Sequence, residues 1–268
     1  MSRATSLSRW QRRIQRAQDL ASRYPAASEI LTFYVHMAGF QENLHGELRQ
    51  TPDAQPASSY GEVGERELSE LVSRFGSFLS LAEKHAPAPL AELISQLRMS
   101  GSVFWSELLR RAWSDATSAD PQGLLAQVFL QPFAEWLRSR TSLEPFPHAH
   151  AICPFCRRKP GFGVLRPLGE GAARSLVCSF CMAEWEFRRI VCPGCGEEND
   201  KKLVVFTAEE FPCIRMEGCD SCKTYLKTID LTKDGHAEPV VDELASAPLD
   251  LWARERGYAK LHNNLLGL

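Results

Sequence analysis

The chain has 268 residues, 44% hydrophobic and 24% charged, with a formal net charge of -2. That length holds two domains with a sizeable core, and that usage excludes wholesale disorder or a fibrous repeat. The near-neutral balance argues against a dedicated nucleic-acid binder, which ordinarily carries a marked lysine and arginine excess. No apolar run follows the basic start, Arg3 to Arg23, as a signal peptide requires, and no stretch reaches the roughly 20 apolar residues of a membrane span. A soluble, cytoplasmic protein without membrane insertion is expected.

Trp10, Ile14, Ala17, Leu20 and Ala21 recur at helical spacing, and Ile30, Leu31, Tyr34, Val35 and Ala38 continue the pattern, with Pro25 dividing two helices. Thr51 to Gly61 has the composition of a loop. A helix follows through Leu68, Leu71, Val72, Phe75, Phe78, Leu79 and Ala82, stopping near Pro87. The next runs through Leu93, Leu97, Phe104, Leu108 and Leu109, with Gly101 placed to bend or divide it. Asp120 reads as a cap and Pro121 as the first position of a helix carrying Phe129, Phe133 and Trp136 on one face, ending near Ser139. Beyond His150 the texture changes to short β-prone pieces: Phe162 to Arg166, Trp185 to Val191, Leu203 to Thr207 and Tyr225 to Asp230. A last amphipathic segment, Val240 to Tyr258, is interrupted by Pro248.

All nine cysteines lie between Cys153 and Cys222, which in a chain this long points to metal rather than a disulfide scaffold. Eight form C-x-x-C pairs: Cys153 with Cys156, Cys178 with Cys181, Cys192 with Cys195, and Cys219 with Cys222. Two intervening residues let a tight turn aim both sulfurs at one tetrahedral ion. Gaps of 21, 10 and 23 residues make the first and second pairs one site and the third and fourth another, each bridged by a hairpin; crossed pairing is the alternative. Offsets of 39 and 41 residues between equivalent cysteines indicate tandem ribbons. Four thiolates suit iron and zinc alike, and only Cys192-Pro-Gly-Cys-Gly196 has the rubredoxin-style proline and closing glycine. Cys213 reads as a small buried side chain, and His148 and His150 as linker.

The expected fold is α+β: an all-helical domain (1–147), two tandem rubredoxin-like or zinc-ribbon modules (148–190 and 191–235), and a C-terminal helix and tail (236–268). No nucleophile with its base, phosphate-cradling loop or open three-ligand metal site is apparent, so no catalytic residue is assigned; Glu184 and Glu186 share a strand face as solvated as catalytic.

Leu130-Gln-Pro-Phe-Ala-Glu-Trp-Leu137, Glu184-Trp185 after the second pair, Arg189 to Cys195, Cys219 to Asp230, Asp242 to Leu249 and Gly257-Tyr258 resemble the FdhE family, accessory proteins of formate dehydrogenase; Tyr24-Pro25 and Gln41 extend the likeness into the helices. The resemblance implies a cytoplasmic, non-catalytic factor that contacts the catalytic subunit of formate dehydrogenase and binds iron through its C-x-x-C motifs. Arg157, Met182 and Lys223 replace the closing glycine at three pairs, which favours a structural metal over rubredoxin-type redox chemistry. Two alternatives stand beside this reading. One is a small electron-transfer protein. The other is a nucleic-acid-binding ribbon protein, whose surface would be Arg157, Arg158, Lys159, Arg166, Arg188, Arg189, Lys201 and Lys202 interleaved with Trp185 and Phe187. Trp185, Arg188 and Tyr225 are the side chains expected to be exposed for docking.

Overall fold

The structure, a computed structural model, describes residues 7–50, 65–114, 120–141, 151–264 and 267. Helix α1 (Arg9–Arg23) begins at a capping box: the Ser8 hydroxyl accepts from the Gln11 N–H at 3.0 Å while the Ser8 N–H donates to Gln11 Oε1 at 3.1 Å. A single 3-10 turn opened by Pro25 re-aims the chain into α2 (Ser28–Gln50). Helix α3 (Glu65–His85) stops before Pro87, and the next periodic stretch divides into α4 (Ala88–Met99) and α5 (Gly101–Ser114), with Gly101 at φ +77°. Helix α6 (Pro121–Arg140) starts as its sequence signals, the Asp120 side chain accepting from the Gly123 N–H at 2.9 Å. The loop expected at Thr51 to Gly61, and His148 and His150, lie outside the described residues.

The aromatic stripe of α6 is core. Phe129 packs on Phe75 and Phe78 with centroids 5.0 and 5.5 Å apart, and Phe133 lies between Trp113 and Trp136. The helix also runs straight through Pro132, which has no N–H to give the Val128 carbonyl four residues back. Gln41 of α2 replaces that donor. Its Nε2 donates to the Val128 carbonyl at 2.6 Å and to Gln131 Oε1 at 2.9 Å, and Gln131 Nε2 donates onward to the Ser179 carbonyl at 2.9 Å, all in the interior.

The sheet comprises β1 (Phe162–Leu168), β2 (Gly171–Val177), β3 (Glu184–Glu186), β4 (Leu203–Thr207), β5 (Ile214–Cys219), β6 (Thr224–Asp230) and β7 (Ala259–Lys260). Its order is β3-β2-β1-β6-β5-β4, with β7 also beside β6. The two ribbons therefore share one sheet, because β1 of the first runs parallel to β6 of the second from Gly163 opposite Thr228 to Leu165 opposite Asp230. The approach demands glycine: a Cβ on Gly163 would meet Thr228 Oγ1 at 2.4 Å. Of the stretch Trp185 to Val191, only its start joins a strand, since the chain turns away after Glu186 toward the third cysteine pair.

The final segment forms two helices, α7 (Pro239–Ala245) and α8 (Ala247–Glu255); the break falls at Ser246, and Pro248 sits in the first turn of α8. The basic start of the chain docks here. Arg16 pairs with Asp242 at 2.6 Å and Asp234 at 2.8 Å, Arg12 with Glu238 at 2.8 Å, and Arg9 and Arg13 with the buried Glu135 of α6 at 2.9 and 3.1 Å. A second ionic cluster joins the sheet to α7 and α8. Lys227 of β6, fully buried, meets Asp250 at 2.6 Å and Glu243 at 3.0 Å; Lys260 meets Glu243 at 2.5 Å and Asp250 at 3.2 Å; the Tyr225 hydroxyl donates to Asp250 at 2.6 Å. Two cations face two carboxylates, so the cluster is electrically balanced.

Two outcomes follow from these interior groups. Gln41→Leu should destabilise the protein by about 1–3 kcal/mol by leaving a buried carbonyl without its donor. In a Pro132→Ala background, where position 132 regains its N–H, that cost should shrink by about 1 kcal/mol in a urea double-mutant cycle; equal costs in both backgrounds would exclude the compensation. Glu243→Gln should cost about 3–5 kcal/mol at neutral pH by unbalancing the ionic cluster. Burial would raise the Glu243 carboxyl, but Lys227 and Lys260 hold it down to about 2, below its ordinary 4.5. A depressed folded-state pKa confers stability that is complete above 4.5 and lost as pH falls toward 2, so the gap between wild type and variant should close across that window.

Candidate metal centres

Each C-x-x-C pair forms the same knuckle. The backbone N–H four residues after the first cysteine donates to that cysteine's carbonyl: Arg157 to Cys153 at 3.1 Å, Met182 to Cys178 at 3.1 Å, Gly196 to Cys192 at 2.9 Å and Lys223 to Cys219 at 2.8 Å. Closing the turn this way requires a left-handed residue, and all four comply, with φ of 63°, 55°, 78° and 54° respectively. Only Gly196 adopts that conformation freely; each of the other three carries a strain of roughly 1–2 kcal/mol. Loss of the closing glycine has thus not changed the knuckle, and the strain persists because the surroundings enforce it.

The knuckles bring together Cys153, Cys156, Cys178 and Cys181 in one set and Cys192, Cys195, Cys219 and Cys222 in the other, the sulfurs of each set lying within 4.8 Å of one another. This is the pairing expected from the gaps, not the crossed one. Four thiolates around one ion at about 2.3 Å define a tetrahedron with edges of about 3.8 Å. The second set matches this at 3.7 Å for both Cys192–Cys222 and Cys195–Cys219, and the first is slightly tighter at 3.5 and 3.4 Å for Cys153–Cys181 and Cys156–Cys178. None of the nine cysteines is in a disulfide. Donor type, number and spacing therefore fit one iron or zinc ion per set.

The two sets differ in surroundings. All four cysteines of the first are buried in the core that also contains Phe133, Trp113 and Phe180 of the helical half and first ribbon. Arg158, 1% exposed, lies beside it: the guanidinium covers the Phe180 ring at 3.9 Å and donates to the carbonyls of Ala112 and Trp113 at 2.7 and 3.1 Å, in the last turn of α5. A divalent ion with four thiolates is a dianion, and Arg158 places positive charge against it while satisfying a helix C-terminus. Burial works against ionising Cys156, but its sulfur neighbours and Arg158 carry it well below the usual thiol range; burial, followed by the sulfurs of Cys153 and Cys156, pushes Cys178 and Cys181 well above it.

In the second set Cys192 and Cys219 are buried, Cys222 is half-buried and Cys195 is exposed. The Gly194 N–H donates to Cys192 Sγ at 3.3 Å, and the Thr224 hydroxyl contacts Cys222 Sγ at 3.0 Å. Cys192 is pushed up to about 12 by burial, whereas hydrogen bonds from Thr224 overcome burial and pull Cys222 down to about 7. Cys213 joins neither set; it fills a position among Phe162, Phe211, Ile214 and Ile229, and burial raises its thiol to about 11.

Residues 152–189 match the model of the FdhE central domain and 190–266 that of the FdhE C-terminal domain. An FdhE homolog of Aquifex aeolicus is 26% identical over 95% of this chain and 94% of its own length. One from Pseudomonas aeruginosa is 34% identical over 74% of this chain and 69% of its own length. The chain belongs to the FdhE family. The crystal structure of the FdhE protein from Pseudomonas aeruginosa superposes with a TM-score of 0.69 at 25% identity, covering 98% of this chain and 97% of that one.

Several residues that carried the FdhE likeness are clamps in the fold. Gln41 and Gln131 hold the Ser179 knuckle, Tyr24 donates to the Glu210 carbonyl at 2.9 Å, Asp242 receives Arg16, and the Tyr258 hydroxyl donates to Asp220 at 2.8 Å. Of the residues a nucleic-acid surface would use, Arg158, Trp185 and Phe187 are buried, Arg166 is paired with Glu184 through two 2.8 Å contacts and Arg188 with Glu198 at 2.5 Å, while Arg157, Lys159, Arg189, Lys201 and Lys202 are exposed. Trp185 and Tyr225, expected at the surface, are 7% and 4% exposed, because one packs into the first ribbon's core and the other binds Asp250. Arg158, expected at the surface beside Arg157, is buried instead; the left-handed turn at 157 is what sends the next side chain inward.

Exposure orders the two FdhE sites. In protein loaded with zinc at both sets, a chelator should withdraw one ion first, and that ion should come from Cys192/Cys195/Cys219/Cys222. Two-step release monitored by a colorimetric zinc indicator, with the fast step abolished in Cys195→Ser, checks it; simultaneous loss of both ions would show the sites to be coupled through the shared sheet.

Proposed function

We propose that this protein is a cytoplasmic, non-catalytic accessory factor that binds the catalytic subunit of formate dehydrogenase during its maturation. What supports the reading is the correspondence with FdhE along nearly the whole chain, since that accessory role is what the family resemblance implies. In this reading the eight paired cysteines are metal ligands, each set holding one iron or zinc ion. An ion there would brace two knuckles and their hairpin; iron would in addition supply one-electron chemistry.

The role of the first set is structural in this view, because it sits in the interior where helical half and first ribbon meet. The test uses the full metal-loaded chain. Immobilised catalytic subunit should capture it, and cells lacking it should lose formate dehydrogenase activity, restored by the wild type and not by Cys153→Ser. Unchanged activity in those cells, or no capture, would remove the reading.

A further inference from the structure

Strand β4 is an outer strand of the sheet and, among the described residues, pairs only with β5. Its sequence, Leu-Val-Val-Phe-Thr, is uncharged and β-prone, and Val205 is 49% exposed. Natural sheets usually protect such an edge with charge, proline or a bulge, and β4 has none of these within it. An unprotected edge is a template for another strand.

The two faces of that edge are chemically different. Val204 and Phe206 lie on the side of α8, with Phe206 4.9 Å from the Trp252 ring and 6.0 Å from that of Tyr258. Beside Val205 is a cavity of about 60 Å³, lined by Arg174, Arg189 and Arg215 with Glu217, next to the second cysteine set. Arg174 is 4% exposed; its Nη2 donates to Glu217 at 2.6 Å and its Nη1 to the Arg188 carbonyl at 2.9 Å, while its buried Nε has no partner. Arg189 has one long hydrogen bond, to the Ala172 carbonyl at 3.4 Å, and neither it nor Arg215 has a carboxylate partner among the described residues. Three guanidiniums thus face one carboxylate.

We propose that the free edge of β4 takes an extended acidic segment of a protein partner by strand addition, its acidic side chains turned toward Arg189 and Arg215 and its alternate apolar ones toward Phe206 and Trp252. An added strand lies about 4.8 Å beyond β4 and roughly 10 Å from β5, within the combined reach of an arginine on β5 and a glutamate on the newcomer. Main-chain pairing supplies the affinity and the arginines select the charge. The inference holds whichever protein supplies the segment, and so stands apart from the formate dehydrogenase reading.

The probes are a ten-residue peptide of alternating valine and glutamate and its glutamine counterpart, titrated into the full metal-loaded chain with hydrogen exchange as readout. The glutamate peptide should bind and slow exchange at residues 203–207. Affinity should fall at least about tenfold for the glutamine peptide, and for an Arg189→Ala, Arg215→Ala variant shown to keep its metal content and melting temperature. Equal binding of both peptides, protection elsewhere, or no binding would overturn it. So would inorganic phosphate binding at the arginines without peptide binding, which marks a small-anion site, or protection of 203–207 that rises with protein concentration alone, which marks a second copy as the occupant.

Discussion

A proline in the middle of a buried helix leaves a carbonyl that something else must satisfy, and the way this chain satisfies it determines how its halves meet. Pro132 cannot donate to Val128; Gln41 does, and the same amide holds Gln131, whose own amide holds the Ser179 carbonyl inside the second cysteine knuckle. One missing N–H thus fixes α2 against α6 and α6 against the first ribbon. A buried polar relay tolerates little displacement, because any member that loses its partner is left unsatisfied where water cannot replace it.

Charge completes what the relay begins. The arginines of α1 meet carboxylates on α6 and α7, and Lys227 and Lys260 meet Glu243 and Asp250 beneath α8. Arg158 belongs to the same pattern, since it sets a cation between the end of α5 and the first cysteine set. Buried ion pairs add little net stability over apolar packing, but they penalise every arrangement that separates the partners. They specify one docking of helices on ribbons.

That docking divides the labour between the cysteine sets. The first is enclosed and charge-compensated; the second, near the outer strands, keeps Cys195 exposed and lies against the arginine-lined cavity beside β4. For the accessory role proposed above, a rigid surface matters more than a reactive one, and ions at the two sets would brace the hairpins that present it. In the proposed reading the buried set serves the fold, and the surface near the exposed set is the one offered to a partner segment.

Local pattern was enough to read the helices, their proline and glycine breaks, the Asp120 cap and the division of eight cysteines into two sets, because helix periodicity, capping and knuckle spacing are short-range constraints written in consecutive residues. β2 and β5 carry no local strand signal, since Gly171-Ala-Ala-Arg-Ser and Arg215-Met-Glu-Gly become strands through pairing with neighbours rather than through their own propensity. The sharing of one sheet by both ribbons, the burial of Trp185, Tyr225 and Arg158, and the rescue of Val128 by a glutamine 87 positions away were decided by tertiary structure. Side chains of one type differ there only in what folding brings against them: Arg157 and Arg158 are identical and adjacent in sequence, and a left-handed turn leaves one in water and puts the other beside four sulfurs.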